Sequence, residues 1–171
     1  MVCAGRDIAY GPAMSVFEIN PVRSPDDLAA TKALFDAYAA SLGINLSYQN
    51  FVEEMAAMPG KYAPPNGELL LARGADNSAL GCVGLRPLAE DGACEMKRLY
   101  VMPEGRGLGL GKALAERVVD EARRIGYRRM LLDTLPSLTT AVALYDRMGF
   151  ARIPAYYDTP IPGTIFMALA L

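Results

Sequence analysis

Apolar and polar residues alternate from Ser15 to Ile19, the period expected of a half-buried strand. The period then lengthens. Leu28, Leu34, Phe35, Tyr38 and Leu42 recur at helical spacing behind Ser24-Pro25-Asp26-Asp27, a helix start with proline and acids in its first turn, and Gly43 supplies the stop. A second helix is expected from about Tyr48 to Met58, with Phe51, Val52 and Met55 on its apolar side, closed by the turn-rich residues 59–67. Strands are then predicted at Glu68–Ala72, Ala79–Leu88 and Ala93–Val101, joined by turns at residues 74–78 and 90–92.

Past a glycine-rich segment, Leu110, Ala113, Leu114, Val118 and Ala122 mark an amphipathic helix to Ile125, ended by Gly126. Tyr127–Leu132 reads as a strand and Thr139–Met148 as a helix closed by Gly149, and strands at Phe150–Ile153 and Ile165–Leu169 finish the chain. No repeat or linker interrupts this order. It predicts a single α/β domain (mixed α+β) over residues 14–171. Met1–Ala13 is expected to be a poorly ordered leader, with Met14 an alternative start.

A net charge of -2 gives no footprint for nucleic acid, and no apolar run reaches the length of a membrane span. A cytoplasmic protein is the expectation. The three cysteines are too irregularly placed for a disulfide framework, and Cys82 and Cys94 read as buried small hydrophobes. There is no histidine. That removes Ser-His and Cys-His nucleophilic pairs and argues against a metal site, so any general base must be a carboxylate, Lys, Tyr, Cys or relayed water.

Gly105, Gly107, Gly109 and Gly111 alternate between a predicted strand and a predicted helix. There they let backbone N–H groups approach a ligand, and the helix's unpaired first-turn donors would face an anion, as in a phosphate site. A tight ligand-free turn fits the glycines alone as well. The spacing excludes two common phosphate loops. A P-loop needs glycine where Arg106 stands and Ser or Thr where Ala113 stands, and a dinucleotide fingerprint needs glycine at Lys112.

What remains is Arg-x-x-Gly-x-Gly. With Glu95-Met96-Lys97-Arg98-Leu99-Tyr100-Val101 before it and the run Ala141 to Phe150 after it, the chain resembles the GNAT superfamily of N-acetyltransferases from about Ser15 to Leu171. The resemblance implies a twisted, mixed, mostly antiparallel sheet flanked by helices, whose fourth and fifth strands splay apart around an acyl-CoA. It implies acetyl-CoA as cosubstrate and no metal. Pyrophosphate binding falls to the backbone of Leu108, Gly109, Leu110 and Gly111, with Gly107, Arg106 and Lys112 beside them. Backbone groups of Leu99, Tyr100 and Val101, around a bulge, would serve the pantetheine arm and polarise the thioester carbonyl.

For the chemistry, the resemblance assigns Tyr145 as the acid that protonates the coenzyme thiolate; packing with Ala141 and Met148 is the structural alternative. Glu95 is the candidate base, acting through water, and simple pairing with Lys97 is its alternative. In a regular strand Glu95, Lys97, Leu99 and Val101 would share one face. The sequence departs from the family at Leu138, where many members carry a coenzyme-binding asparagine; Thr139 or Thr140 is the expected substitute.

On the acceptor side the candidates are Tyr38, Tyr48, Arg86, Arg98, Tyr156, Tyr157 and Asp158, with Arg86 and Arg98 able to pair a substrate carboxylate. The expected activity is direct transfer of acetyl from acetyl-CoA to a primary amine of a small molecule, amino acid or peptide. A non-catalytic acyl-CoA-binding sensor and an acetyltransferase for protein lysines or N-termini are the alternatives, and homodimerisation is left open.

Overall fold

The computed structural model describes residues 16–171, so the expected leader, Met14 and Ser15 lie outside the described residues. In chain order come β1 (Phe17–Pro21), α1 (Pro25–Leu42), α2 (Phe51–Ala57), β2 (Glu68–Gly74), β3 (Ala79–Pro87), β4 (Ala93–Val101), α3 (Leu110–Ile125), β5 (Arg129–Thr134), α4 (Thr139–Arg147), β6 (Ala151–Arg152) and β7 (Ile165–Ala170). No helix among the described residues is long and apolar enough to cross a membrane.

The strands form one seven-stranded sheet in the order β1-β2-β3-β4-β5-β7-β6. Every neighbouring pair is antiparallel except β4 and β5. Helices cover both faces, so β2 carries the nearly continuous apolar run of a strand buried on two sides. Leu70 and Ala72 meet Leu110, Leu114 and Val118 of α3 and Leu144 and Tyr145 of α4 in one cluster. Leu69 and Leu71 meet Leu34 and Phe35 of α1, with Met58 and Tyr62, in the other. Fully buried side chains such as Leu114 and Met130 each stabilise the fold by about 1.5–3 kcal/mol.

Where elements depart from expectation, local chemistry explains it. The expected helix at residues 48–58 divides into a 3-10 turn at Ser47–Gln49 and α2, because Asn50 sits at φ 54° between them. With α2 starting at Phe51, Phe51 and Met55 pack inward while Val52, one position round the helix, is 71% exposed. The strand expected from Tyr127 begins two residues later. Tyr127 N–H instead caps α3 at the Ala122 carbonyl, and Arg128 N–H donates to the Gly92 carbonyl. The strand expected at residues 150–153 shrinks to two paired residues.

Two irregularities shape the centre of the sheet. The parallel β4–β5 register ends at Glu95–Leu131, although β4 runs on to Val101, so the two strands part beyond that point. On its other edge β4 carries one residue more than β3: Cys82 faces Tyr100, Gly84 faces Lys97, and Arg98 and Leu99 together stand opposite Val83. This is a β-bulge, with Arg98 at φ 58°.

The bulge overturns the expected shared face of Glu95, Lys97, Leu99 and Val101. An extra residue reverses the alternation, so Leu99 and Val101 join Cys94 and Met96 on the α3 side. Glu95, Lys97 and Arg98 are left on the face toward α2 and the chain between β6 and β7, where their side-chain partners Glu54, Gln49 and Tyr156 lie.

Candidate active site

The parting of β4 from β5 opens a cleft in the sheet. Its walls include Met96, Leu99, Leu132, Leu138, Ala141 and Tyr145 on one side, and Tyr38, Tyr48, Gln49, Lys97, Arg98 and Asp133 on the other. Two strand edges face each other there without a ladder between them. Such edges present backbone donors and acceptors that an extended, amide-bearing ligand can meet as an added strand would.

The glycine-rich segment lies at the C-terminal end of β4. A 3-10 turn at Pro103–Gly105 leads from the strand, and Gly105 is buried against Val101 and Leu110, with little room for a side chain. Gly107 and Gly109 then adopt φ 78° and 75°, and nothing lies within 4 Å of where a Cβ would stand on either. Their backbone therefore turns through the left-handed region while facing open space. Gly109 is the N-cap of the 16-residue α3, whose first-turn N–H groups and positive dipole end are free for an anion. Arg106 is exposed and donates from Nε to the Val101 carbonyl at 3.4 Å. Leu108 is exposed, and Lys112 points outward in a loose pair with Glu116 at 3.6 Å. This cradle suits a pyrophosphate.

Tyr145 is both a core aromatic and a residue of the cleft wall. Its ring packs in the α3-side core, 5.7 Å from the ring of Phe150, and it lines the cleft. Burial pushes its phenol well above the ordinary value, so it stays protonated at neutral pH. Leu138 also lines the cleft and occupies the N-cap of α4 without a side-chain cap. Thr139 is the exposed first residue of that helix.

Glu95 is 1% exposed and does not line the cleft. Arg86 Nε donates to its Oε2 at 2.7 Å, the Tyr156 hydroxyl donates to its Oε1 at 2.7 Å, and Lys97 Nζ stands 3.7 Å away. Both carboxylate oxygens are thus engaged within the chain.

The arginines expected to clamp a substrate carboxylate are engaged too. Arg86 is held by Glu95. Arg98 Nη2 donates to Glu54 Oε2 at 2.6 Å, its Nη1 donates to Gln49 Oε1 at 2.9 Å, and its guanidinium lies over the rings of Phe51 and Tyr38 at 5.1 and 5.9 Å. Burial alone would raise the Glu54 carboxyl, but Arg98 outweighs it and holds the pKa below the ordinary value. Tyr62 also donates to Glu54.

Lys97 Nζ reaches across the cleft to Asp133 Oδ1 at 2.9 Å, two residues beyond the last β4–β5 pair on each strand. Against the opposing effect of burial, Lys97 and the Tyr157 hydroxyl hold the Asp133 carboxyl below its usual range. Three cations, Arg86, Lys97 and Arg98, thereby face three carboxylates, Glu95, Asp133 and Glu54.

Aromatic residues complete this side. Tyr156, Tyr157 and Phe166 stack edge to face with centroids 5.2–5.4 Å apart. Tyr38 meets Tyr100 at 6.0 Å, and burial pushes its phenol up to about 12. Asp158 is exposed.

Sequence reasoning missed Gln49, Glu54 and Asp133. None lies in a motif, and the partners that bring them into the site, Lys97 for Asp133, Arg98 for Glu54 and Tyr157 for Gln49, are 36, 44 and 108 residues away in the chain. The cysteine reading agrees with the structure: Cys82 and Cys94 are free and buried, with the Cys94 thiol pushed up to about 12 by burial. Among the described residues no group of three or more His, Cys, Asp or Glu side chains could hold a metal ion.

The profile of the Acetyltransferase (GNAT) family matches residues 33–150. An uncharacterized N-acetyltransferase of Schizosaccharomyces pombe is 43% identical over 157 residues, covering 92% of this chain and 96% of that protein. An IAA acetyltransferase of Azospirillum brasilense is 39% identical over 106 residues, 61% of this chain and 69% of its own. Among solved structures, an acetyltransferase of Streptococcus agalactiae superposes with a TM-score of 0.74 at 22% identity, over 92% of this chain and all of that one. A sheet that splays between its fourth and fifth strands, a glycine cradle at the end of the fourth, and a relative matching nearly end to end agree: the chain is an N-acetyltransferase of the GNAT family.

Proposed function

We propose that this acetyltransferase moves an acetyl group directly from acetyl-CoA to a primary amine of a small molecule, amino acid or peptide, both substrates being bound together. The observation that carries this reading is a single cleft with Tyr145 and Leu99 on one wall, Arg98 of the same bulge on the other, and the glycine cradle at the end of that strand. The cradle fits a pyrophosphate, since its φ values exclude most side chains while its donors face open space. Leu108 to Gly111 would hold it, with Arg106 adding charge at the surface and Gly107 shaping the turn. Lys112 and Thr139 stand at the two helix N-termini as further candidates for the coenzyme.

In this mechanism the amine nitrogen attacks the thioester carbon and the C–S bond breaks. A backbone N–H of β4 around Leu99 to Val101 stabilises the oxyanion, an interaction worth about 2.7–4 kcal/mol where such donors have been removed. The Tyr145 hydroxyl gives its proton to the leaving sulfur. The amine must first lose a proton. Glu95 can receive it only by relay, because Tyr156 and Arg86 occupy its oxygens; the Tyr156 hydroxyl is the group through which the relay would run. Direct transfer is favoured over an acyl-enzyme, since both described cysteines are buried with thiols shifted toward the protonated form. On the acceptor side Tyr38 and Tyr157 are binding candidates. Arg86 and Arg98 shape the wall through their carboxylate partners rather than as open clamps.

The test is a free-thiol assay with acetyl-CoA against pooled amines, amino acids and peptides. Thiol release with recovery of the acetylated amine is expected. Binding of acetyl-CoA without turnover across the whole panel would instead favour a sensor, and turnover only with proteins would move the acceptor to a lysine or N-terminus.

A further inference from the structure

Gln49 lies in the 3-10 turn between α1 and α2 and reaches into the cleft. A carboxamide offers two N–H donors and two acceptor lone pairs. Here all are used. Nε2 donates to the Tyr157 hydroxyl at 2.9 Å and to Asp133 Oδ2 at 3.2 Å, with the Tyr48 hydroxyl at 3.3 Å. Oε1 accepts from Arg98 Nη1 at 2.9 Å and Lys97 Nζ at 3.4 Å.

The amide orientation is fixed by charge. Reversed, the NH2 group would face two cations and the oxygen would face the Asp133 carboxylate. The partners come from both sides of the opening: Lys97 and Arg98 from β4, Asp133 from β5 and Tyr157 from the segment before β7. Gln49 therefore spans the parted strands as a cross-piece on the face opposite α3 and α4, with its acceptor end toward β4 and its donor end toward β5.

We propose that Gln49 is a positioning residue for the acceptor amine. It holds the Asp133 carboxylate and the Tyr157 hydroxyl in one arrangement beside the bulge, and so fixes where an amine stands when it meets the thioester. A neutral amide of this length is required. An apolar side chain leaves Asp133, Tyr157 and Arg98 each one partner short, and a carboxylate in its place repels Asp133. Small errors of placement are costly in this setting, since a misplacement of about 1 Å can lower a rate about 100-fold.

The inference rests on the acetyltransferase reading above, and the test separates the two. Wild type, Gln49→Met, Gln49→Ala and Gln49→Glu are compared by thiol release with acetyl-CoA and whichever of 2-phenylethylamine, spermidine, L-aspartate and L-lysine the wild type turns over fastest. The Met and Ala variants are expected to raise the KM of the amine about tenfold or more, with the KM of acetyl-CoA changed less than about twofold and the fold retained.

The Gln49→Glu variant supplies the readout that a space-filling role would not move. The new carboxyl would face Asp133, Tyr157 and Tyr48 at one oxygen and Arg98 and Lys97 at the other. Those two cations are already paired with Glu54 and Asp133, so the uncompensated contact is carboxyl against carboxyl. That contact favours a proton on one of the pair and restores an O–H donor where the amide N–H stood. Its activity relative to wild type should therefore rise as pH is lowered from about 8 to about 6. A flat ratio across that range, or wild-type amine KM values in the Met and Ala variants, would overturn the proposal. Coenzyme binding by the wild type with no turnover of these amines or of the pooled amines, amino acids and peptides above would overturn the reading beneath it, and this inference with it.

Discussion

The donor half and the acceptor half of the cleft are built from different materials. On the proposed donor side the groups offered are backbone: the turn at Gly107 and Gly109, the first N–H groups of α3 and the open edge of β4 beyond Glu95. On the proposed acceptor side they are side chains: Lys97, Arg98, Asp133 and Gln49 line the cleft, and behind them Glu54, Arg86 and Glu95 complete three ion pairs. A backbone cradle suits a ligand whose phosphates never change. A side-chain network suits a partner recognised by its own polar groups, because it presents charges and hydrogen-bonding atoms in a fixed arrangement. The bulge at Arg98 joins the halves, since it turns Leu99 and Val101 to the α3 face while the Arg98 side chain turns to the opposite face.

The sharpest way to break the contrast is to remove one member of the buried network. Arg98→Met strands Glu54 without its cation, and a loss of about 3–5 kcal/mol is expected, measured by urea unfolding. A cost under about 0.5 kcal/mol would show that Glu54 is satisfied without Arg98. Next in size, Tyr145→Phe should lower kcat about 100-fold while leaving acetyl-CoA affinity unchanged in calorimetry. Wild-type kcat in that variant would remove Tyr145 from the chemistry and leave it a core aromatic.

On the donor side, Gly109→Val places a β-branched residue at φ 75°, at a cost of about 1–2 kcal/mol. Coenzyme affinity should fall about tenfold as the turn relaxes, with amine KM little altered. Equal losses for both substrates would contradict the division into halves.

Acid separates the halves more gently. Glu54 and Asp133 have pKa values below their ordinary ones in the folded chain. Groups lowered in this way stabilise the fold above their unfolded values, near pH 4, and that contribution is lost as pH falls through the folded values. Thermal unfolding should therefore fall off below about pH 4, and less steeply in Glu54→Gln. The smallest effect is expected at the surface. Arg106→Ala should weaken coenzyme binding only a few-fold, about 0.5–1 kcal/mol, and the difference should shrink in high salt.

How much of this was legible in the sequence follows the same division. Period and caps revealed most elements, and the alternating glycines with Arg106 marked the cradle, because backbone geometry is written locally. The bulge could not be read from spacing. One extra residue in β4 becomes visible only against β3, and it moved Leu99 and Val101 to the opposite face from Glu95 and Lys97. The acceptor side was barely legible, since Gln49 finds Asp133 and Tyr157 at separations of 84 and 108 residues. Arg86, Arg98 and Glu95 could be named as candidates, but not the pairing of Arg86 with Glu95 and of Arg98 with Glu54.

The central claim is that the cradle and the parted strands bring acetyl-CoA and an amine together for direct transfer. It is tested most directly by thiol release measured with acetyl-CoA and amine varied together, alongside calorimetry of acetyl-CoA alone. The account predicts saturable binding, intersecting double-reciprocal lines and one acetylated amine per thiol. Parallel lines with an acetylated protein intermediate, or binding without any thiol release, would contradict it.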